Sequence, residues 1–280
     1  MQFISNFYHV LRSLITSITA AADFRLARQS MLADGTLSTN ETNILKRVSL
    51  QVHRSDEMYV PFNAKHYLSV GLSAIRCIDA ALAQSGRVHS VQSILDFPCG
   101  FGRVLRFLKT KYPNAEITVA EIDKIALDYC RRIFFVETVA SDKKLSELSL
   151  SRKFDLIWCG SLITHLNAAA ARDLLKLFYN HLAPGGLCIF SSHGKYSINC
   201  IENNMKSYGL SKKARNSLVS QFHRDGYGYA DYDSLREYGI SAASHEYMKQ
   251  IASEAGGWTE IYFRERGWDN HHDVYGYIMA

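Results

Sequence analysis

At 280 residues the chain is long enough to bury a full core, and a composition of 47% hydrophobic and 21% charged residues excludes disorder as its general state. Its net charge of +5 comes from scattered lysines and arginines, which suits anionic partners but leaves no nucleic-acid footprint. No apolar run is long enough to span a membrane, and the six cysteines show neither a CxxC pair nor the Cys/His spacing of a zinc site. They read as reduced, structural residues of a cytoplasmic protein that needs no metal.

Phe3, Ile4, Phe7, Val10, Leu11, Leu14, Ile15 and Ile18 recur at helical spacing. Arg12 interrupts them, whereas a signal peptide would place its cation ahead of them. This first helix, closed by Ala33-Asp34-Gly35, suits docking on its own domain, on a partner subunit or on the inner face of a membrane. Thr39-Asn40-Glu41 caps a second helix running to about Val52, and Phe62–Ser85 reads as a long third helix closed by Gly86. Residues 1–90 are therefore expected to form a helical cap region.

From Val91 strands alternate with helices, the rhythm of βαβ units in a parallel sheet. Strands are expected over Val91–Asp96, Glu116–Glu121, Phe134–Val139, Phe154–Cys159 and Leu187–Ser191. Helices over Arg103–Lys111, Lys124–Arg132 and Ala168–Leu182, the last capped by Asn167, stand between them. The polar, Tyr-rich residues 194–243 break the rhythm and read as an inserted helical lid with a loop at Asp225–Tyr232. A helix over Ser244–Ala255 and two closing strands, Trp258–Arg264 and Asp273–Met279, complete a second unit spanning 91–280.

Within Ser93–Lys109 an apolar strand ends on Asp96, a tight turn carries Gly100 and Gly102, and a helix follows. Glycines let the backbone approach a ligand, and a helix start offers unpaired N–H groups, so the stretch suits a nucleotide-type cofactor. Glu121 ends the next strand about 20 residues past that turn, the placement that suits ribose hydroxyls. A dinucleotide would want G-x-G-x-x-G, and only Gly100 and Gly102 match.

DFPCGFGR, VAEID, FDLIWCGSLITHL and LAPGGLCIF occur in the order seen in class I S-adenosylmethionine-dependent methyltransferases, and the chain resembles that family over about 91–192. The closing segment 258–279 fits the family's antiparallel last strand. The resemblance implies an α/β, Rossmann-like, seven-stranded mixed sheet with helices on both faces. It also implies S-adenosyl-L-methionine as cofactor. Asp96, Phe97 and the turn from Pro98 through Gly100 to Gly102 would face its methionine part, Glu121 its ribose and Ile122 its adenine. Asp142 is a candidate for the adenine amino group, and Gly160 and Ser161 would line the methyl-transfer pocket; His165 is a candidate for a structural or cofactor-side role. Pro98 stands where the family usually has a glycine.

An alcohol acceptor needs a general base, for which His is the usual candidate; His193, His271 and His272 are the choices here, with His193 first. Strand four lacks the D/N-P-P-Y/F segment of amino-directed nucleic-acid methyltransferases, which argues against base methylation. The segment FRERGWDNHHDVYGY resembles bacterial methyltransferases associated with glycan and cell-surface polysaccharide synthesis. The expectation is O-methylation of a small-molecule or glycan hydroxyl. N-methylation of a small amine and a non-catalytic cofactor-binding partner in a biosynthetic complex stay open, as does oligomerisation. Tyr227, Tyr229, Tyr232, Trp258 and Trp268 are candidates either to stack on an acceptor or to fill the lid's own core.

Overall fold

The computed structural model of the chain describes residues 2–86, 91–142, 144–145, 148–233 and 235–279, with backbone alone for 2–14 and 17. The apolar face expected across Phe3–Leu14 therefore lies outside the described side chains. A long helix, α1 (Gln2–Ala33), opens the chain, and α2 (Thr39–Arg47) and α3 (Ala64–Gln84) follow. From Phe24 on, α1 buries Phe24, Ala27 and Met31 at helical spacing. Asp23 of α1 accepts hydrogen bonds from the Tyr59 hydroxyl (2.8 Å) and from the backbone N–H of Ala64 (3.1 Å), so one helix caps the start of another.

The second helix starts one residue earlier than its sequence suggests and ends sooner. Ser38 is its N-cap, in a reciprocal capping box with Glu41. The chain leaves the helix at Val48, and the carbonyls of Ser49 and Gln51 instead accept from Arg106.

The strands are β1 (Ser93–Asp96), β2 (Glu116–Glu121), β3 (Glu137–Ala140), β4 (Phe154–Cys159), β5 (Leu182–Ser192), β6 (Tyr227–Asp231), β7 (Gly239–Ala243), β8 (Thr259–Trp268) and β9 (His272–Ile278). Among the described residues seven of them form one sheet in the order β3-β2-β1-β4-β5-β9-β8. β1 to β5 run parallel, while β9 is antiparallel to both β5 and β8, as the resemblance implies. Central strands such as FDLIWC are buried on both faces, which is why they read as unbroken apolar runs.

Helices cover both faces. One face packs Ile94, Val119, Trp158 and Ile189 against α1, α2, α3, α4 (Leu105–Lys111) and α5 (Lys124–Phe134). The other packs Leu95, Ile157, Cys188 and Phe190 against α6 (Ala168–His181) and α9 (His245–Ala255). The helical prelude and the sheet thus share one continuous core. α3 lies so close to α4 that a Cβ on Gly71 would sit 2.1 Å from the Phe107 ring.

Residues 194–243 hold α7 (Lys195–Glu202), α8 (Lys212–Asp225) and the antiparallel pair β6 and β7, so the insertion is not purely helical. The expected loop at Asp225–Tyr232 is largely β6. Gly226 ends α8 in the left-handed conformation, and beyond it tyrosines alternate with small residues at the period of a strand. Ile198, Leu218, Phe222 and Ile240 give this insertion its own small core.

Candidate active site

The C-terminal ends of the parallel strands carry two groups of residues, one around Asp96 and Glu121 and one around three histidines. Asp96 ends β1 in full burial, and its Oδ2 finds no hydrogen-bond partner among the described residues. Burial first, and the neighbouring Glu121 second, push its carboxyl well above the usual range, so it favours the protonated form. Glu121, at the end of β2, is the opposite case. Its Oε2 accepts from Gly100 N–H (2.9 Å), and its Oε1 from the N–H groups of Ile122 (2.7 Å) and Asp123 (3.1 Å). A carboxylate offers about four lone-pair positions, so one is left for a ribose hydroxyl rather than two.

The two turn glycines are there for different reasons. Both have positive φ, +50° at Gly100 and +79° at Gly102. A Cβ on Gly102 would meet the Phe134 ring at 2.6 Å, so that glycine lets α5 pack against the turn. A Cβ on Gly100 would meet nothing within 4 Å and would project into open space above the turn. That opening, the unpartnered Asp96 oxygen and the spare position on Glu121 together fit a cationic adenosyl cofactor.

The other residues expected at this site fall as follows. Phe97 turns its ring into the core against Phe178 (centroids 6.0 Å apart), leaving its backbone at the strand end, and Pro98 follows it through a cis peptide. Ile122 is 54% exposed beside Glu121, an open apolar surface suited to an adenine face. Asp142 lies in the adjoining exposed loop, which Ser141 anchors by donating to the Glu121 carbonyl (2.9 Å). His165 faces the insertion: its Nδ1 lies 2.9 Å from the Gly239 carbonyl and 3.2 Å from the Tyr232 hydroxyl, and its ring stacks on Tyr238 at 5.1 Å. Burial, and then the charge of Glu121, raises the Tyr238 hydroxyl pKa.

Arg106 carries no warning in its sequence context, yet it holds the glycine turn in place. It is 1% exposed and donates to the Gly102 carbonyl (2.9 Å), to Ser49 (3.1 Å) and Gln51 (2.7 Å) carbonyls, and to the Tyr67 hydroxyl (3.2 Å). Tyr67 passes the network on to buried Asp56 (2.7 Å). The guanidinium thus joins the turn to the helical prelude.

At the second group the strand register does the assembling. β5 pairs Ser192 with Asp273 on antiparallel β9, so the next step along the ladder sets His193 against His272. β8 pairs Trp268 with His272 on the other side. Ring centroids of His193 and His272 lie 5.0 Å apart, and those of His193 and His271 5.6 Å. Ser191 links this group to the end of β4: its Oγ accepts from Ser161 N–H (2.9 Å) and lies 3.4 Å from His272 Nδ1. Ser161 has φ +63°, and Gly160 before it lies against Trp268, where a Cβ would meet the indole at 2.7 Å.

All three rings are neutral in ordinary buffers. Burial, then His271, brings His193 down to about 3. Burial, then Lys206, brings His271 down to about 4. His272 is driven well below the usual value by burial and then by His193 and His271. A base so weak transfers protons poorly on its own near pH 7. His193 is also 4% exposed, with Nδ1 held by the Ser241 carbonyl at 3.1 Å. Trp258 and Trp268 are buried and donate their indole N–H to the carbonyls of Ala252 and Val70, so neither is an open stacking surface.

Residues 95–188 match the family described as methyltransferase domain. Over 105 residues, 36% of this chain, the sequence is 28% identical to the malonyl-[acyl-carrier protein] O-methyltransferase of Priestia megaterium. That match spans only 37% of the relative's length. An S-adenosylmethionine-dependent methyltransferase from Clostridium acetobutylicum shares the fold at TM-score 0.53 and 15% identity, over 75% of this chain and 92% of that one. DesVI of Streptomyces venezuelae does so at 0.52 and 14%, over 76% and 93%. Human N-acetylserotonin methyltransferase, solved with S-adenosylmethionine, does so at 0.50 and 15%, over 77% and 53%. Residues 95–188 thus match a methyltransferase domain, and the chain shares its fold with S-adenosylmethionine-dependent methyltransferases.

Proposed function

We propose that this methyltransferase transfers the methyl group to a hydroxyl of a small-molecule or glycan acceptor, held between the strand ends and the insertion. The observation that carries the reading is the convergence of His193, His271 and His272 beside Ser161, joined to it through Ser191. Displacement at the sulfonium carbon depends mainly on holding the nucleophile in line with it, and an alcohol must also lose its proton. Arg103, just past the glycine turn and packed between Tyr67 and Trp268, adds positive charge near the same place, which suits an acceptor that carries an anionic group. The glycan assignment rests on the likeness of the closing segment to polysaccharide-associated methyltransferases. Ile18 and Leu26, 80% and 65% exposed on α1, suit contact with a partner or a membrane surface. Among the described residues no helix is long and apolar enough to cross a membrane.

A second reading, N-methylation of a small amine, is favoured by the low basicity of the three rings, because an amine sheds its proton to water unaided. The test has two stages. Thermal unfolding with S-adenosylmethionine or S-adenosylhomocysteine should rise by several degrees, and no shift with either removes the cofactor from this chain. Release of S-adenosylhomocysteine is then followed with panels of sugars, other alcohols and amines. Turnover of alcohols that falls at least tenfold in His271→Ala supports the first reading. Turnover of amines alone, unchanged in that variant, supports the second.

A further inference from the structure

The three histidines are more than neighbours. One ring nitrogen from each lies within 4.8 Å of those of the other two. We propose that His193, His271 and His272 form a seat for one divalent transition-metal ion, with zinc the best suited.

Three features support a built site. First, each ring has one nitrogen beside a polar partner. The Ser241 carbonyl lies 3.1 Å from Nδ1 of His193, the Tyr208 hydroxyl 3.1 Å from Nε2 of His271, and Ser191 Oγ 3.4 Å from Nδ1 of His272. Such partners fix ring tautomer and orientation in metal sites and leave the other nitrogen free to ligate. Second, the ligand set is all imidazole, which suits zinc, copper, nickel or iron and not the oxygen-seeking magnesium or calcium. Third, two ligands sit on adjacent strands of one sheet, His193 beyond the end of β5 and His272 at the start of β9, with His271 next to it. Tetrahedral zinc with bonds near 2.05 Å sets its nitrogens about 3.4 Å apart, so the rings draw together by roughly an ångström on binding. His271 and His272 are both half-buried, whereas His193 is buried.

Three protein ligands leave a fourth position open, the pattern of catalytic rather than structural zinc. Resting on the O-methylation reading, that position would take the acceptor hydroxyl and lower its pKa, as metals do for water. The hydroxyl proton leaves to solvent, and the oxygen pair forms the new bond to the methyl carbon. The carbon–sulfur pair returns to sulfur, so the sulfonium becomes a thioether. No single histidine then has to act as the base.

Tag-free protein stripped with a chelator and titrated with Co²⁺ should give the visible absorption of a tetrahedral site, saturating at one ion per chain and displaced by Zn²⁺. His271→Ala and His272→Ala should weaken binding at least ~100-fold, and His223→Ala, on an exposed face, should leave it unchanged. Should His272→Ala fold poorly, as circular dichroism would show, His271→Gln carries the test. Absence of stoichiometric binding at micromolar zinc overturns the proposal, as does wild-type affinity in both the His271 variants. The readout needs neither cofactor nor acceptor. Zinc bound without a thermal shift by S-adenosylmethionine keeps the site and removes the methylation reading; a shift without zinc binding does the reverse.

Discussion

Asp96 and Glu121 are carboxyl groups at the ends of neighbouring strands, and the fold gives them opposite surroundings. Glu121 is surrounded by backbone N–H donors, whereas Asp96 has an oxygen with no partner and favours its neutral form. A carboxyl that keeps its proton in the fold but loses it in the unfolded chain makes stability fall as pH rises. The window opens near the unfolded value, about 4, and closes at the raised folded pKa, with a slope of up to about 1.4 kcal/mol per pH unit. Asp96→Asn mimics the protonated acid, so its stability should fall less steeply than wild type between pH 4.5 and 8, as read by denaturant titration at each pH. An identical slope would mean that Asp96 ionises normally. S-adenosylmethionine brings positive charge toward this pocket, so its binding should release a proton that Asp96→Asn no longer releases. Calorimetric heats in buffers of different ionisation enthalpy measure that directly. Glu121→Ala should weaken cofactor binding by roughly 10- to 100-fold, the worth of a hydrogen bond to a charged group. Both acids were legible in the sequence because each closes an apolar strand at a fixed distance from a glycine turn.

Among the elements, the glycine turn and the insertion show where sequence reading reaches its limit. The turn itself is plain from DFPCGFG, but its support is not. An arginine in a short helix with lysines around it normally faces water, and nothing in RVLRFLK marks Arg106 as the buried exception. Its partners, Ser49, Gln51 and Tyr67, lie far back in the chain and supply mostly carbonyls, which leave no trace in residue identity. Arg106→Met should destabilise the protein by about 3 kcal/mol or more, because it strands the partnered carbonyls and the Tyr67–Asp56 pair in the core. Arg106→Lys should rescue little of this, since one ammonium cannot span the same acceptors. Chemical denaturation of both variants checks the pair of expectations. In the insertion, β6 and β7 were hidden because tyrosines and glycines are common to loops and strands alike. Only their pairing, with Ala243 N–H on the His193 carbonyl, reveals the hairpin and ties it to the sheet.

At the scale of the whole molecule the prelude and the sheet share a core, while the insertion keeps a small core of its own and meets the sheet around Ile163, His165 and His193. Regions with small private cores open at lower free energy than the body they rest on. Amide hydrogens of 195–238 should therefore exchange faster than those of β1, β4 and β5, and S-adenosylhomocysteine should slow the exchange around Tyr238. Uniform exchange throughout would show that the insertion and sheet unfold as one unit. The parallel sheet was readable from the alternation of strands with helices, but the meeting of three histidines was not, because it depends on the register of the last strand against β5. Since β9 runs against β5, its first residues arrive where the parallel strands end. Reversed, a seven-residue strand would carry His272 some 20 Å away, to the opposite margin of the sheet. That polarity also makes β9 the cover of an edge: without it β5 would present unpaired N–H and C=O groups, a template for another chain.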